Sequence, residues 1–165
     1  MRTLATSEHL DSLRLFWEEY ARATPGIQPV YAVWTLGDGP ALADELAAMV
    51  VDGSKRASAG LLRDFASQNE PLPRTGDHVI LVDGQSTPRC VICITRVEVN
   101  LIRDVDERFV QKNGGGDGSI AWWLTANLRY FKRQGTRQGF AVDDRTEVVF
   151  VDFVVVWPMQ PGVNG

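Results

Sequence analysis

The run TEVVFVDFVVVW, residues 146–157, narrows the fold more than any other stretch of the chain. Its β-branched and aromatic side chains suit a pleated strand and lose rotamer freedom in a helix. Two earlier stretches have the same character. DHVILVDG and PRCVICITRVEVN read as two strands joined through Gly84-Gln85-Ser86. A chain carrying such strands must build a sheet and cover it.

Much of the rest has helical periodicity. Leu10, Leu13, Trp17 and Tyr20 recur at helical spacing behind Ser7, a suitable N-cap, which predicts a helix over 8–22. Thr24-Pro25-Gly26 ends it, and PVYAVWTLGDG reads as a short extended piece entering a turn. Pro40 suits a helical first turn, and Leu42, Leu46, Met49 and Val50 form an apolar stripe down to Gly53. A second helix is expected over 57–67, carrying Leu61, Leu62 and Phe65. A proline-broken loop follows at Pro71 and Pro73. Residues 106–112 read as a short helix, and NGGGDGS breaks the chain. Residues 119–133 are helical, with Ile120, Trp123, Leu124, Asn127 and Phe131 on one face. GFAVDD reads as a further strand. The plan is α+β, a small curved sheet or barrel with helices packed around it.

The 165 residues fit one domain, 44% hydrophobic and 23% charged, as in ordinary globular proteins. Net charge is −4 and the pI about 5.2, so the whole molecule does not advertise nucleic acid or acidic lipid. No apolar run has membrane-spanning length, and MRTLATSEHLDSL lacks the apolar core of a signal peptide. Cys90 and Cys93 lie three apart in a strand and so point to opposite faces. They read as two buried thiols rather than a disulfide or metal pair. His9 and His78 have no ligand spacing. These features predict a cytoplasmic protein with neither metal nor cofactor.

Three places can carry chemistry. Gly53-Ser54-Lys55-Arg56-Ala57-Ser58 either stops a helix or presents an ammonium and a hydroxyl together. It lacks the two glycines and adjoining lysine of a P-loop. Asn113-Gly114-Gly115-Gly116-Asp117 leaves backbone amides open before a helix, where they either hold an anion or, as is commoner, give way to Asp117 or Ser119 as the helix cap. The helix beyond it has no acidic residue from Gly118 to Val142, while Arg129, Lys132, Arg133 and Arg137 supply four positive charges. Trp122 shares a face with Arg129, Lys132 and Arg133, as stacking and phosphate neutralisation of a single strand require. Asn127, a polar amide on the apolar stripe, is either a structural residue or points into a pocket.

Gly53-x-Lys55-x-x-Ser58 resembles the G-x-K-x-x-T signature of the ASCH domain, a branch of the PUA-like superfamily. VWTLGDGPALADELAAMVVDGSKRASAGLL is similar to the opening of the longer bacterial ASCH proteins. FVQKNGGGDGSIAWWLTANLRYF is similar to their segment built on E-G-E-G-D, and TEVVFVDFVVVW to their last strand. The similarity covers roughly 12–157, within a single ASCH/PUA-like domain. It implies a small β-barrel with surrounding helices and a cleft lined by the lysine motif. The family is thought to bind RNA or modified nucleosides, and ribonuclease and acetylcytidine amidohydrolase activities are attributed to the fold.

Carried over, the expected partner is single-stranded RNA or a nucleotide or nucleoside. It would be held by Lys55, Arg56, Ser119, Trp122, Arg129, Lys132 and Arg133. The alternative is a hydrolase, a ribonuclease or an N4-acylcytidine amidohydrolase. Lys55 would then be base or nucleophile, Ser58 its hydroxyl partner, and Asp117 the acid. Two family glutamates are replaced by Asn113 and Gly115, an arginine by Leu124 and a histidine by Asn127. Asp117, Ser119 and Trp123 are retained. The lost ionisable groups favour binding over catalysis.

Overall fold

The β-branched runs pair into one five-stranded sheet in the computed structural model, which describes residues 7–158. The strands are β1 (Ala32–Thr35), β2 (Ala57–Leu61), β3 (His78–Val82), β4 (Pro88–Leu101) and β5 (Glu147–Trp157). The helices are α1 (Ser7–Ala23), α2 (Pro40–Asp52), α3 (Leu62–Ser67), α4 (Glu107–Asn113) and α5 (Ile120–Gln138). Strand order is β1-β3-β4-β5-β2. The α+β, PUA-like class expected from the sequence holds.

The chain divides into two compact units. One comprises the chain up to Gly53, Gly76–Ile94 and the chain from Phe153. In it β1 runs parallel to β3, with Trp34 opposite Leu81, and β3 pairs antiparallel with the first part of β4. Of the predicted apolar stripe of α1, Leu13, Trp17 and Tyr20 are buried with Ile80, Val82 and Val91, while Leu10 is exposed. The Asp44 carboxylate accepts the Gly84 N–H at 3.0 Å, which ties α2 to the β3–β4 turn.

The second unit comprises Ser54–Thr75 and Thr95–Asp152. Here β2 pairs antiparallel with β5, Ala57 opposite Asp152 and Leu61 opposite Val148. Leu61, Ile102, Phe109, Val110, Trp123, Phe131, Val148 and Phe150 form its core. Phe109 sets its edge against both Trp123 and Phe150, with ring centroids 5.7 and 4.8 Å apart.

Several expectations need correction. Residues 57–61 are strand β2, not helix, and α3 occupies only 62–67. Alanine and leucine favour a helix locally. The backbone groups of β5 need hydrogen-bond partners, and the small side chains of ASAGL let the two strands meet. GFAVDD is not a strand. Gly139 takes the left-handed conformation that caps α5, and the Asp143 carboxylate accepts the Arg145 N–H in a turn. The helix predicted to end at 133 continues to Gln138, and α4 starts one residue late because Asp106 caps it. Ser7 is the first residue of α1, and its side chain lies outside the described residues. Cys90 and Cys93 are free, but only Cys90 is buried, and burial pushes its thiol up to about 12.

Candidate nucleic-acid interface

Gly53 ends α2 at φ 90°, a left-handed conformation that glycine adopts without a Cβ penalty. Two residues later Lys55 enters the interior of the second unit and is only 4% exposed. Both of its hydrogen bonds go to one residue. Nζ donates to the Asn113 carbonyl oxygen at 3.2 Å and to Asn113 Oδ1 at 3.0 Å. Asn113 is the last residue of α4, so the amine caps that helix's C-terminal carbonyl. The Arg56 N–H donates to the Lys112 carbonyl at 2.6 Å and fixes the same junction. Burial lowers the Lys55 amine from 10.5 to about 7. A carbonyl and an amide are dipoles without net charge, and they leave most of the desolvation uncompensated.

The sequence pointed to Ser58 and Asp117 as partners of this lysine. Ser58 lies in β2, opposite Val151, and is buried. Asp117 is exposed; hydrogen bonding with the Ser119 side chain, and then with the Ser119 N–H that its Oδ1 accepts at 2.9 Å, keeps its pKa below the usual carboxylate value. Neither hydrogen bond of Lys55 reaches either residue. The residue that meets the amine is Asn113.

A second charged group escaped sequence reasoning. Asp152 is buried, and its Oδ2 accepts from both Arg108 and Lys112, the latter at 2.9 Å. Arg108 also lies 3.7 Å from Glu98 and 3.8 Å from Asp106. The spacing of four puts Arg108 and Lys112 on one face of α4, where both meet the acid. The signal was present: Asp152 is the single acid between the apolar residues of VVFVDFVVV.

The glycine loop carries the chain from Asn113 to α5. Asn113 Nδ2 donates to the Gly114 carbonyl at 3.1 Å, and Gln111 Nε2 to that of Gly118 at 3.2 Å. Ser119 is the cap of α5, its Oγ accepting the Trp122 N–H at 3.1 Å. Gly116 lies directly beneath the Trp122 indole: a Cβ there would fall 2.1 Å from the ring. The tryptophan is nevertheless 39% exposed. Arg129, Lys132, Arg133 and Arg137 are all exposed along the same helix. Arg133 lies over the Tyr130 ring at 5.6 Å, while Arg129 and Lys132 have no ion-pair partner among the described residues. Asn127 donates to the Trp123 carbonyl one turn back, at 3.0 Å, which satisfies its amide within the helix. Among the described residues no three His, Cys, Asp or Glu side chains gather as a metal site, and no helix is long and apolar enough to cross a membrane.

The five-stranded sheet with its surrounding helices has the PUA-like fold. The family model of the ASCH domain matches residues 32–157, and the chain belongs to that family, whose members are thought to bind RNA. It is similar to a crystal structure of a protein from Enterococcus faecalis V583, with 28% identity, 89% of each chain covered and a TM-score of 0.82. The crystal structure of an ASCH domain from Lactobacillus crispatus JV V101 has 24% identity, with 94% of this chain and 99% of that one covered and a TM-score of 0.78. Among curated proteins none matches the chain.

Proposed function

We propose that this ASCH domain binds single-stranded RNA, or a nucleotide-sized piece of it, along the exposed face of α5 and the glycine loop before it. The observation that carries the reading is the acid-free face of α5. A protein of net charge −4 concentrates Arg129, Lys132, Arg133 and Arg137 on one helix, with an exposed Trp122 above them. One face of the indole rests on Gly116, and the exposed part is offered to a base. Stacking and phosphate neutralisation are the two contacts a single strand makes without sequence preference. The reading extends to Ser119, which caps α5, and to Lys55 and Arg56, which bond to Asn113 and Lys112 just before the glycine loop.

Fluorescence anisotropy of a labelled oligouridylate over a salt series tests this. Replacing Arg129, Lys132 and Arg133 together by alanine is expected to reduce the slope of log affinity against log salt by about 2, at about 0.7 per phosphate contact. Unchanged affinity and slope in that variant would overturn the reading.

A second reading is favoured by Lys55 itself. An amine near 7 is suited to general-base work at neutral pH. A hydrolase reading assigns Lys55 as base, with Ser58 and Asp117 as the further groups named from the family. Incubation with RNA and with N4-acylated cytidines separates the two readings. Turnover lost in Lys55→Ala supports the hydrolase, and no product from either substrate class sinks it.

A further inference from the structure

We infer that Lys55 is a proton-coupled anion site, which places its third N–H on an oxygen of a phosphate-bearing ligand and takes up a proton as that ligand binds. The inference rests on the reading that this corner faces such a ligand, and it adds how the site responds to pH.

The geometry of the amine carries it. An ammonium has three donors. Two are assigned, both to neutral oxygens of Asn113, at 3.2 and 3.0 Å. Among the described residues no carboxylate forms an ion pair or hydrogen bond with Lys55, Asp52 at the end of α2 included. Arg56 follows it at the entrance of β2. On α4, Arg108 and Lys112 are cations, and Glu107 stands at the opposite end of the helix. On β5, Asp152 lies opposite Ala57, but its carboxylate is already held by Arg108 and Lys112. Glu98 and Asp106 lie against Arg108. Asp117 is exposed and bonded to Ser119. The surroundings of Lys55 are therefore short of one negative charge, in a place from which water is almost excluded.

A ligand phosphate is the charge that corner lacks. The loop beside Asn113 begins with three glycines; Gly114 and Gly115 bring no side chain to the approach, while Gly116 lies under the Trp122 indole. Burial alone, with no neighbouring acid, lowers the amine to about 7, so at pH 8 most of it is neutral. An arriving anion favours the charged form, and the proton comes from solvent. A glutamate at position 113 would supply the charge permanently and abolish this coupling.

The test is an NMR titration of the Lys55 13Cε resonance in the wild-type protein, free, with a saturating oligouridylate, and with sulfate, which remains a dianion across the range. Absence of the resonance in Lys55→Arg assigns it. The free amine is expected to titrate near 7. Either anion should raise that midpoint, and the affinity for it should weaken by about tenfold per pH unit from 7.5 to 9. Asn113→Glu should hold the lysine charged throughout and remove the pH step. A Lys55 midpoint moved by neither probe overturns the inference. RNA that binds without moving Lys55 also overturns it and leaves the α5 reading standing. Sulfate that moves Lys55 in a protein that does not bind RNA upholds it and removes the α5 reading.

Discussion

Lys55→Met is expected to be more stable than the wild type at pH 6, with an advantage that shrinks as the pH rises toward 10. The folded amine has a pKa of about 7 against 10.5 in the unfolded chain, the shift being caused by burial. Below pH 7 both states hold the proton, and the folded state bears the full penalty of a buried ammonium. Between 7 and 10.5 the unfolded chain binds the proton and the folded one does not, so wild-type stability rises with pH. At about 1.4 kcal/mol per unit the whole span amounts to about 5 kcal/mol, an upper limit because the protein relaxes around the charge. Methionine fills similar volume without a charge, although it leaves the two Asn113 oxygens without the amine. Urea denaturation of both proteins at pH 6, 8 and 9.5 measures the difference. Parallel pH profiles would show that the lysine is not desolvated as described. A group that costs stability where its neutral replacement would not is a candidate for function.

Trp123→Ala is expected to lose about 3–5 kcal/mol of stability, whereas Trp122→Ala changes stability by about 1 kcal/mol or less. The two tryptophans are neighbours in sequence. Trp123 is 0% exposed and packs against Phe109 and Phe150 at 5.7 and 5.9 Å. Its indole N–H makes no hydrogen bond among the described residues, so truncation removes packing and leaves a cavity. Trp122 is 39% exposed and rests on Gly116 of the glycine loop. Its loss should instead weaken oligouridylate binding by about 1–3 kcal/mol for one stacked base. Chemical denaturation and anisotropy on both variants measure the two quantities separately. A Trp122→Ala variant that binds as tightly as wild type removes the stacking role.

The contrast between Trp122 and Trp123 shows what was legible without a structure. Helical period assigned Trp123 to the apolar stripe and Trp122 to the basic row, and their burial agrees. β3, β4 and β5 were legible for a similar reason: β-branched runs reveal a strand through their own rotamer preferences. β2 was not, because ASAGL carries a helical preference and becomes a strand only through its pairing with β5. The residues themselves singled out Lys55 between Gly53 and Ser58, and the resemblance added the replaced glutamates. It did not reveal that the amide at 113 would be the lysine's partner, since that contact joins residues 58 positions apart. Asp152 was visible as an acid in an apolar run, but its two cations come from α4, and spacing within β5 says nothing of them.

The sequence by itself determined the α+β class, the charge of α5 and the order of aromatic and cation along it, because each follows from the periodicity of neighbouring residues. The tertiary structure decided the condition of Lys55. Its burial, its two neutral acceptors and its lack of an ion-pair partner among the described residues arise where β2, α4 and β5 come together. An amine's pKa depends on the solvent and charge around it, and those belong to the packed fold and to no local stretch of the chain.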